Sequence, residues 1–179
     1  MLGPRLTPAE LEALRGDVLA ASYLRGDFRS DSLGETSMWF DKYLFLTQPS
    51  ILRRLARALA ELLEPTIDRI AAAELGGVPL ATAVSLEVGL PCVILRRESR
   101  GETEVEGELS PGDRVVLVED VVATGQHALT YVNRLRGRQV HVPQVVCVLD
   151  RQEGAAATLE TADCQLSALF VVPDEMKAR

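Results

Sequence analysis

Hydrophobic and polar positions alternate in two distinct regimes along the chain. Near the amino terminus, Thr7-Pro8-Ala9-Glu10 has the form of a capping box with proline at the first helical position, and apolar residues follow at Leu11, Leu14, Val18 and Leu19. A helix is expected to run to about Arg25, where Gly26 stops it. Residues 27–37 are rich in Ser, Asp and Gly with little periodicity, so they read as loop or irregular extended chain. Between Pro49 and Leu63, apolar residues recur at Ile51, Leu52, Leu55, Leu59 and Leu62 with arginines on the other face. This spacing predicts a second helix that must end before Pro65.

From Ile67 onward, short apolar runs alternate with helical patterns. Strands are expected over residues 67–72, 92–95, 114–119, 140–149 and 166–172, and helices over 78–88, 126–135 and 155–161. Apolar runs that lack period-two alternation suit strands buried on both faces, and strands alternating with helices favour a parallel sheet with right-handed crossovers. The expected fold class is therefore α/β, doubly wound, with a mainly parallel sheet. Pro143 cannot donate a ladder hydrogen bond, so the 140–149 strand should either start after it or lie beside an edge there.

Composition narrows the function classes. A chain of 179 residues with 47% hydrophobic and 25% charged residues suits one globular core. A formal net charge of −7 offers no basic footprint for a nucleic acid or an anionic membrane. No apolar run approaches a membrane span, and residues 1–10 show no leader pattern, so a cytoplasmic protein is expected. Cys92, Cys147 and Cys164 lack metal-ligand spacing, and Cys92 and Cys147 fall in apolar runs as small buried thiols would.

The chemistry concentrates after the strand expected over residues 114–119. In an open α/β sheet, ligands bind outside the carboxyl ends of the strands, and this strand ends on Glu119 and Asp120. Two adjacent carboxylates after a buried strand match the two hydroxyl donors of a ribose 2′,3′-diol, although a helix-capping surface pair fits the same pattern. The sequel, Ala123-Thr124-Gly125-Gln126-His127, leads small and hydroxyl-bearing residues into a helix. N–H groups at a helix amino terminus, with Gly125 permitting close approach and Thr124 adding a hydroxyl, can cradle a phosphate dianion. The segment has no lysine and one glycine, unlike a nucleoside-triphosphate loop.

The stretch from Val115 through Glu119, Asp120, Val121, Val122, Ala123, Thr124, Gly125 and Gln126 to His127 resembles the phosphoribosyl-pyrophosphate (PRPP) signature of the type I phosphoribosyltransferases. Three further segments resemble the orotate-specific branch of that family. They are Phe40-Asp41-Lys42-Tyr43, Glu74-Leu75-Gly76-Gly77-Val78-Pro79-Leu80-Ala81-Thr82, and Leu149-Asp150-Arg151-Gln152-Glu153-Gly154-Ala155. The resemblance implies one domain over residues 1–179, with a small N-terminal hood over about 1–45 and a core over about 46–179. It implies that Glu119 and Asp120 hold the ribose hydroxyls while residues 121–127 surround the 5′-phosphate. Leu75, Gly76 and Gly77 would grip pyrophosphate, and Arg151, Ala123, Trp39 and Phe40 would face orotate. Asp120 with Arg96, Arg97 and Arg100 would serve catalysis, the arginines by stabilising the departing pyrophosphate. Mg²⁺ would be carried mainly on substrate oxygens, with no dedicated protein metal site, and a homodimer would complete each site.

Each of these segments also has a reading of its own. Gly76-Gly77 between strand and helix is a tight turn with bare N–H groups, suited to pyrophosphate or to a plain connection. Arg151 follows a buried strand, where a guanidinium can take a planar carboxylate or simply face solvent. Adjacent Trp39 and Phe40 suit a core as well as a base-stacking platform. The 96–112 loop is short, carries arginine at 97 and 100 where lysines are usual, and residues 27–37 lack the lysine found there in the orotate branch. Ala123-Thr124-Gly125 is also similar to adenine-type enzymes. Two alternatives therefore stand beside orotate transfer: transfer to a purine base, and a non-catalytic PRPP or nucleotide sensor.

Overall fold

The computed structural model describes residues 5–30, 34–96 and 105–173. Helix α1 (Pro8–Ser22) begins on the expected capping box, in which Glu10 N–H donates to the Thr7 hydroxyl and Thr7 N–H donates to the Glu10 carboxylate. It ends at Ser22, three residues short of the expectation, because the chain turns there into strand β1 (Tyr23–Ser30). β1 pairs antiparallel with β2 (Gly34–Phe40), so the described part of the polar stretch read as loop or irregular extended chain is extended and paired as two strands. Gly26 does not stop a helix. It lies in a register shift between Arg25 and Phe28, where a residue without Cβ accommodates the irregularity.

Short helix α2 (Tyr43–Leu46) and α3 (Pro49–Ala60) follow, and α3 buries the apolar stripe predicted from Ile51, Leu55 and Leu59. The rest is a six-stranded sheet made of β3 (Arg69–Ala73), β4 (Cys92–Leu95), β5 (Val105–Glu106), β6 (Arg114–Val122), β7 (His141–Asp150) and β8 (Gln165–Val171). Its order is β5-β4-β3-β6-β7-β8, parallel throughout except for the antiparallel β5 edge. β5 escapes sequence reading because two residues in a charged loop carry no periodicity. Helices α4 (Gly77–Val88), α5 (Gln126–Arg136) and α6 (Ala155–Glu160) make the crossovers.

The sheet is buried on both faces, as the unbroken apolar runs predict. Alternate residues of β6 divide between the layers: Val116 and Val118 pack with α1, α3 and α4, whereas Val115 and Leu117 pack with α5 and α6. Pro143 sits where β7 shifts register against β6, and pairing to β8 starts after it, at Gln144. The missing N–H therefore costs no ladder bond to β8. Cys147 and Cys164 are buried and Cys92 is only partly so, with all three thiols free. Among the described residues no helix is long and apolar enough to cross a membrane.

Strand β6 runs three residues beyond the expected end at Glu119. β7 continues to pair with it, Glu119 opposite Cys147, Val121 opposite Leu149 and Val122 opposite Asp150. The acidic pair consequently lies within the strand and not beyond it.

Candidate active site at the sheet switch point

The chain passes from β3 outward to β4 and then back across to β6 on the other side of β3. Connections leave β3 and β6 in opposite directions, which opens a crevice between their carboxyl ends. A cleft of about 480 Å³ occupies that position, lined by Lys42 and Tyr43, by Ala73, Glu74 and Leu75 at the end of β3, by residues 119–128, and by Tyr131 on α5.

By the period of two along β6, Asp120 falls on the face of Val118, toward α4 and the N-terminal region, and Glu119 on the other. Asp120 is 1% exposed. Its Oδ1 accepts a hydrogen bond from Val121 N–H at 2.7 Å, and its Oδ2 lies 2.9 Å from the Lys42 ammonium. Burial opposes the lysine charge, but Asp120, Tyr43 and Glu119 outweigh it and raise the Lys42 pKa. Burial and the neighbouring Asp120 charge push the Glu119 pKa from its ordinary 4.5 to about 8, against a smaller pull from Lys42. Near neutral pH the cleft thus holds a lysine-paired Asp120 beside a mostly protonated Glu119.

This asymmetry has a measurable consequence. A carboxyl whose folded pKa is raised favours folding fully below its unfolded value and loses that contribution as pH rises through the folded value. The ligand-free protein should lose stability between pH 4.5 and about 8 on account of Glu119, and Glu119→Gln should abolish that part of the slope. Thermal unfolding at pH 5.5 and 8.5 checks it: parallel changes in wild type and variant would contradict the assignment.

After Val122 the chain turns through Ala123 and Thr124 to Gly125, the residue that caps α5 with φ +81°. A Cβ on Gly125 would sit 2.9 Å from Ala155 Cα, so both conformation and space demand glycine. The Thr158 hydroxyl donates to the Thr124 carbonyl at 2.7 Å, fastening this turn to α6. The first N–H groups of α5 have no intrahelical partner, and no acidic residue stands in its first turn. An anion can therefore be received there without repulsion.

The β3–α4 connection approaches from the opposite wall. Gly77 packs so closely that a Cβ would stand 2.8 Å from the Val118 carbonyl oxygen. At Gly76 a Cβ would overlap Asp120 Oδ2 and fall 2.9 Å from Lys42 Nζ. The bare backbone of Gly76 thus borders the acidic pair, and Leu75 beside it is 63% exposed at the cleft, a position no core packing requires.

Glu119, Asp120, Val121, Val122, Ala123, Thr124, Gly125, Gln126, His127 and Leu75 all line one cleft. Of the other expected site residues that are described, Gly76 and Gly77 border the cleft without lining it, and Arg96, Arg151 and Phe40 do not line it. Arg96 pairs with Glu106 at 2.7 Å, and its carbonyl accepts a bond from Arg134. Arg97 and Arg100 lie outside the described residues. Arg151 pairs with Glu153 at 2.9 Å, and its backbone N–H donates to the Val122 carbonyl. Phe40 packs on Tyr23 with ring centroids 5.0 Å apart, and Trp39 stands opposite Leu24 in the hairpin. Burial raises the Tyr23 pKa while the Arg151 charge lowers it, so hairpin and β7 terminus are neighbours. Lys42, Tyr43, Glu74 and Tyr131 escape sequence reading as individual site residues. Lys42 carries a signal, since it lies inside the Phe40-Asp41-Lys42-Tyr43 segment, but the lysine of the orotate branch is expected upstream of it.

Comparison with known proteins agrees with this geometry. Residues 45–173 match the phosphoribosyl transferase domain. The chain is 36% identical to the orotate phosphoribosyltransferase of Halobacterium salinarum over 156 residues, covering 86% of this chain and 89% of that protein. It is also 36% identical to the orotate phosphoribosyltransferase of Methanosarcina acetivorans over 180 residues, covering 96% of each. Among solved structures, the Mycobacterium tuberculosis orotate phosphoribosyltransferase in complex with inorganic phosphate superimposes with a TM-score of 0.76 at 26% identity, over 90% of this chain and 95% of that one. With the match spanning most of its length and the cleft at the sheet switch point, this chain belongs to the phosphoribosyl transferase family.

Proposed function

We propose that the chain is an orotate phosphoribosyltransferase, joining orotate to PRPP to give orotidine 5′-monophosphate and pyrophosphate. The observation that carries the base class is the 36% identity to an orotate enzyme across 96% of both chains, far beyond the PRPP signature itself. In the reaction, orotate N1 bonds to C1′ as the bond from C1′ to the pyrophosphate oxygen breaks. The electron pair departs with pyrophosphate, and charge of oxocarbenium type develops on the ribose.

Glu119 and Asp120 accept hydrogen bonds from the ribose hydroxyls in this reading, and the N–H groups of residues 123–127 receive the 5′-phosphate. Leu75, Gly76 and Gly77 border the pyrophosphate, with Arg96, Arg97 and Arg100 adding fixed positive charge as it leaves. Among the described residues no three His, Cys, Asp or Glu side chains converge on a common point to hold a metal. Glu119 and Asp120 offer hard oxygens that fit a Mg²⁺ ion only as part of a shell completed by substrate and water. That ion, when bound with PRPP, neutralises charge on the leaving group. A homodimer and a cytoplasmic location belong to the same reading and rest on sequence alone.

The orotate carboxylate is the handle for a test. Arg151 follows β7 at the ligand edge of the sheet, near enough to Tyr23 of the hairpin for its charge to act on that hydroxyl. Turning from Glu153 to the substrate, its guanidinium would take the carboxylate in a bidentate pair whose loss costs about 2 kcal/mol, or roughly thirtyfold. Arg151→Ala should raise the orotate KM by that factor and leave the PRPP KM nearly unchanged. Equal changes in both, or none with orotate, would remove Arg151 from the base site.

A further inference from the structure

We infer that Lys42 is a positioning residue of the ribose site, acting through Asp120: it holds that carboxylate fixed against Gly76 without itself gripping the substrate. The inference rests on the PRPP-binding reading above and adds a component outside its signature segments.

Three observations carry it. Asp120 is buried on the face of β6 that looks toward the N-terminal region, and its Oδ2 accepts no well-aligned hydrogen bond. A buried carboxylate oxygen without such a bond needs a compensating charge, and the Lys42 ammonium at 2.9 Å supplies it. The space is confined, because a single carbon added at Gly76 would collide with Asp120 and stand 2.9 Å from Lys42 Nζ. A compact ammonium fits where a planar guanidinium would not. Finally, the chain uses 17 arginines and only two lysines, Lys42 and Lys177, so a lysine here departs from its own strong preference.

The consequence is an asymmetric acidic pair. Asp120 holds the Lys42 pKa up against burial, and the same carboxylate disfavours ionisation of Glu119. The other titratable groups around the pair are Tyr43 on α2, Glu74 at the end of β3, His127 and Tyr131 on α5, which line the same cleft, and Cys147 opposite Glu119 on β7. Lys42 also lies at the junction of the β1–β2 hairpin with α2, so it transmits the placement of the N-terminal region to the strand that bears the ribose-binding acid.

A double-mutant cycle tests the inference, with PRPP and Mg²⁺ titrated calorimetrically into wild type, Lys42→Met, Asp120→Asn and the double variant. Lys42→Met should weaken PRPP binding about tenfold in the wild-type background but less than about twofold beside Asp120→Asn, since contacting residues are non-additive. Affinity for inorganic pyrophosphate with Mg²⁺ should stay unchanged. Lys42→Gln gives a second variant if Lys42→Met melts early. Equal losses in both backgrounds or weakened pyrophosphate binding would overturn the role. Absence of PRPP binding by the wild type would instead overturn the proposed function on which it stands.

Discussion

Replacing Glu119 by Gln and Asp120 by Asn together is expected to lower PRPP affinity by about two orders of magnitude in a protein that still folds. Asp120 accepting a ribose hydroxyl makes a charge-assisted hydrogen bond worth about 1.5–3 kcal/mol and the mostly protonated Glu119 a neutral one worth about 0.5–1.5 kcal/mol, so the two removed together amount to roughly 30- to 10³-fold. The fold should tolerate the change for a different reason at each position. Glu119 is mostly protonated near neutral pH, so an amide resembles what is already there. Asp120→Asn leaves Lys42 without its partner, but that side chain is 37% exposed and can turn to water. Calorimetric titration beside circular dichroism reads both halves of the expectation. Unchanged affinity in a folded double variant would take the carboxylates out of the site.

Gly76→Ala should be nearly as damaging to activity, and by sterics alone. Gly76 has φ −63° and ψ −38°, a conformation open to any residue, so alanine brings no backbone strain. What it brings is a carbon that overlaps Asp120 Oδ2. Asp120 is buried and cannot retreat freely, so the connection and Asp120 must separate. A shift of this kind at a positioning contact costs on the order of 10²-fold in kcat/KM for PRPP. Gly16→Ala is the matched control: it lies in α1 with nothing within 4 Å of its would-be Cβ, and it should stabilise the helix by about 0.5–1 kcal/mol without touching catalysis. Full activity in Gly76→Ala would show that the connection does not border the reacting groups as described.

What is legible in the sequence follows from where side-chain patterns decide structure. The strands beginning at Ile67 and beyond are readable because burial on both faces demands unbroken apolar runs, and the turn into α5 is readable because Gly125 must adopt a left-handed φ before a helix. The β1–β2 hairpin is not readable. Its strands carry Asp27, Ser30, Glu35 and Ser37, and their backbone pairing needs no apolar period. The acidic pair stands out in the sequence but reads as lying beyond the strand, since two carboxylates look like an end signal. Only pairing with β7 and the cation at Lys42 show how a strand interior keeps them. Lys42 is invisible as a partner because it meets Asp120 across 78 positions of chain, a juxtaposition set by the topology and not by spacing.

The most direct test of the central claim is the loss of orotate absorbance on mixing this protein with PRPP and Mg²⁺, with adenine and xanthine run in parallel. Orotate should be consumed with stoichiometric release of pyrophosphate, while the two purines react little. Consumption of a purine in place of orotate would contradict the base class, and PRPP binding without turnover of any base would contradict the enzyme reading in favour of a sensor.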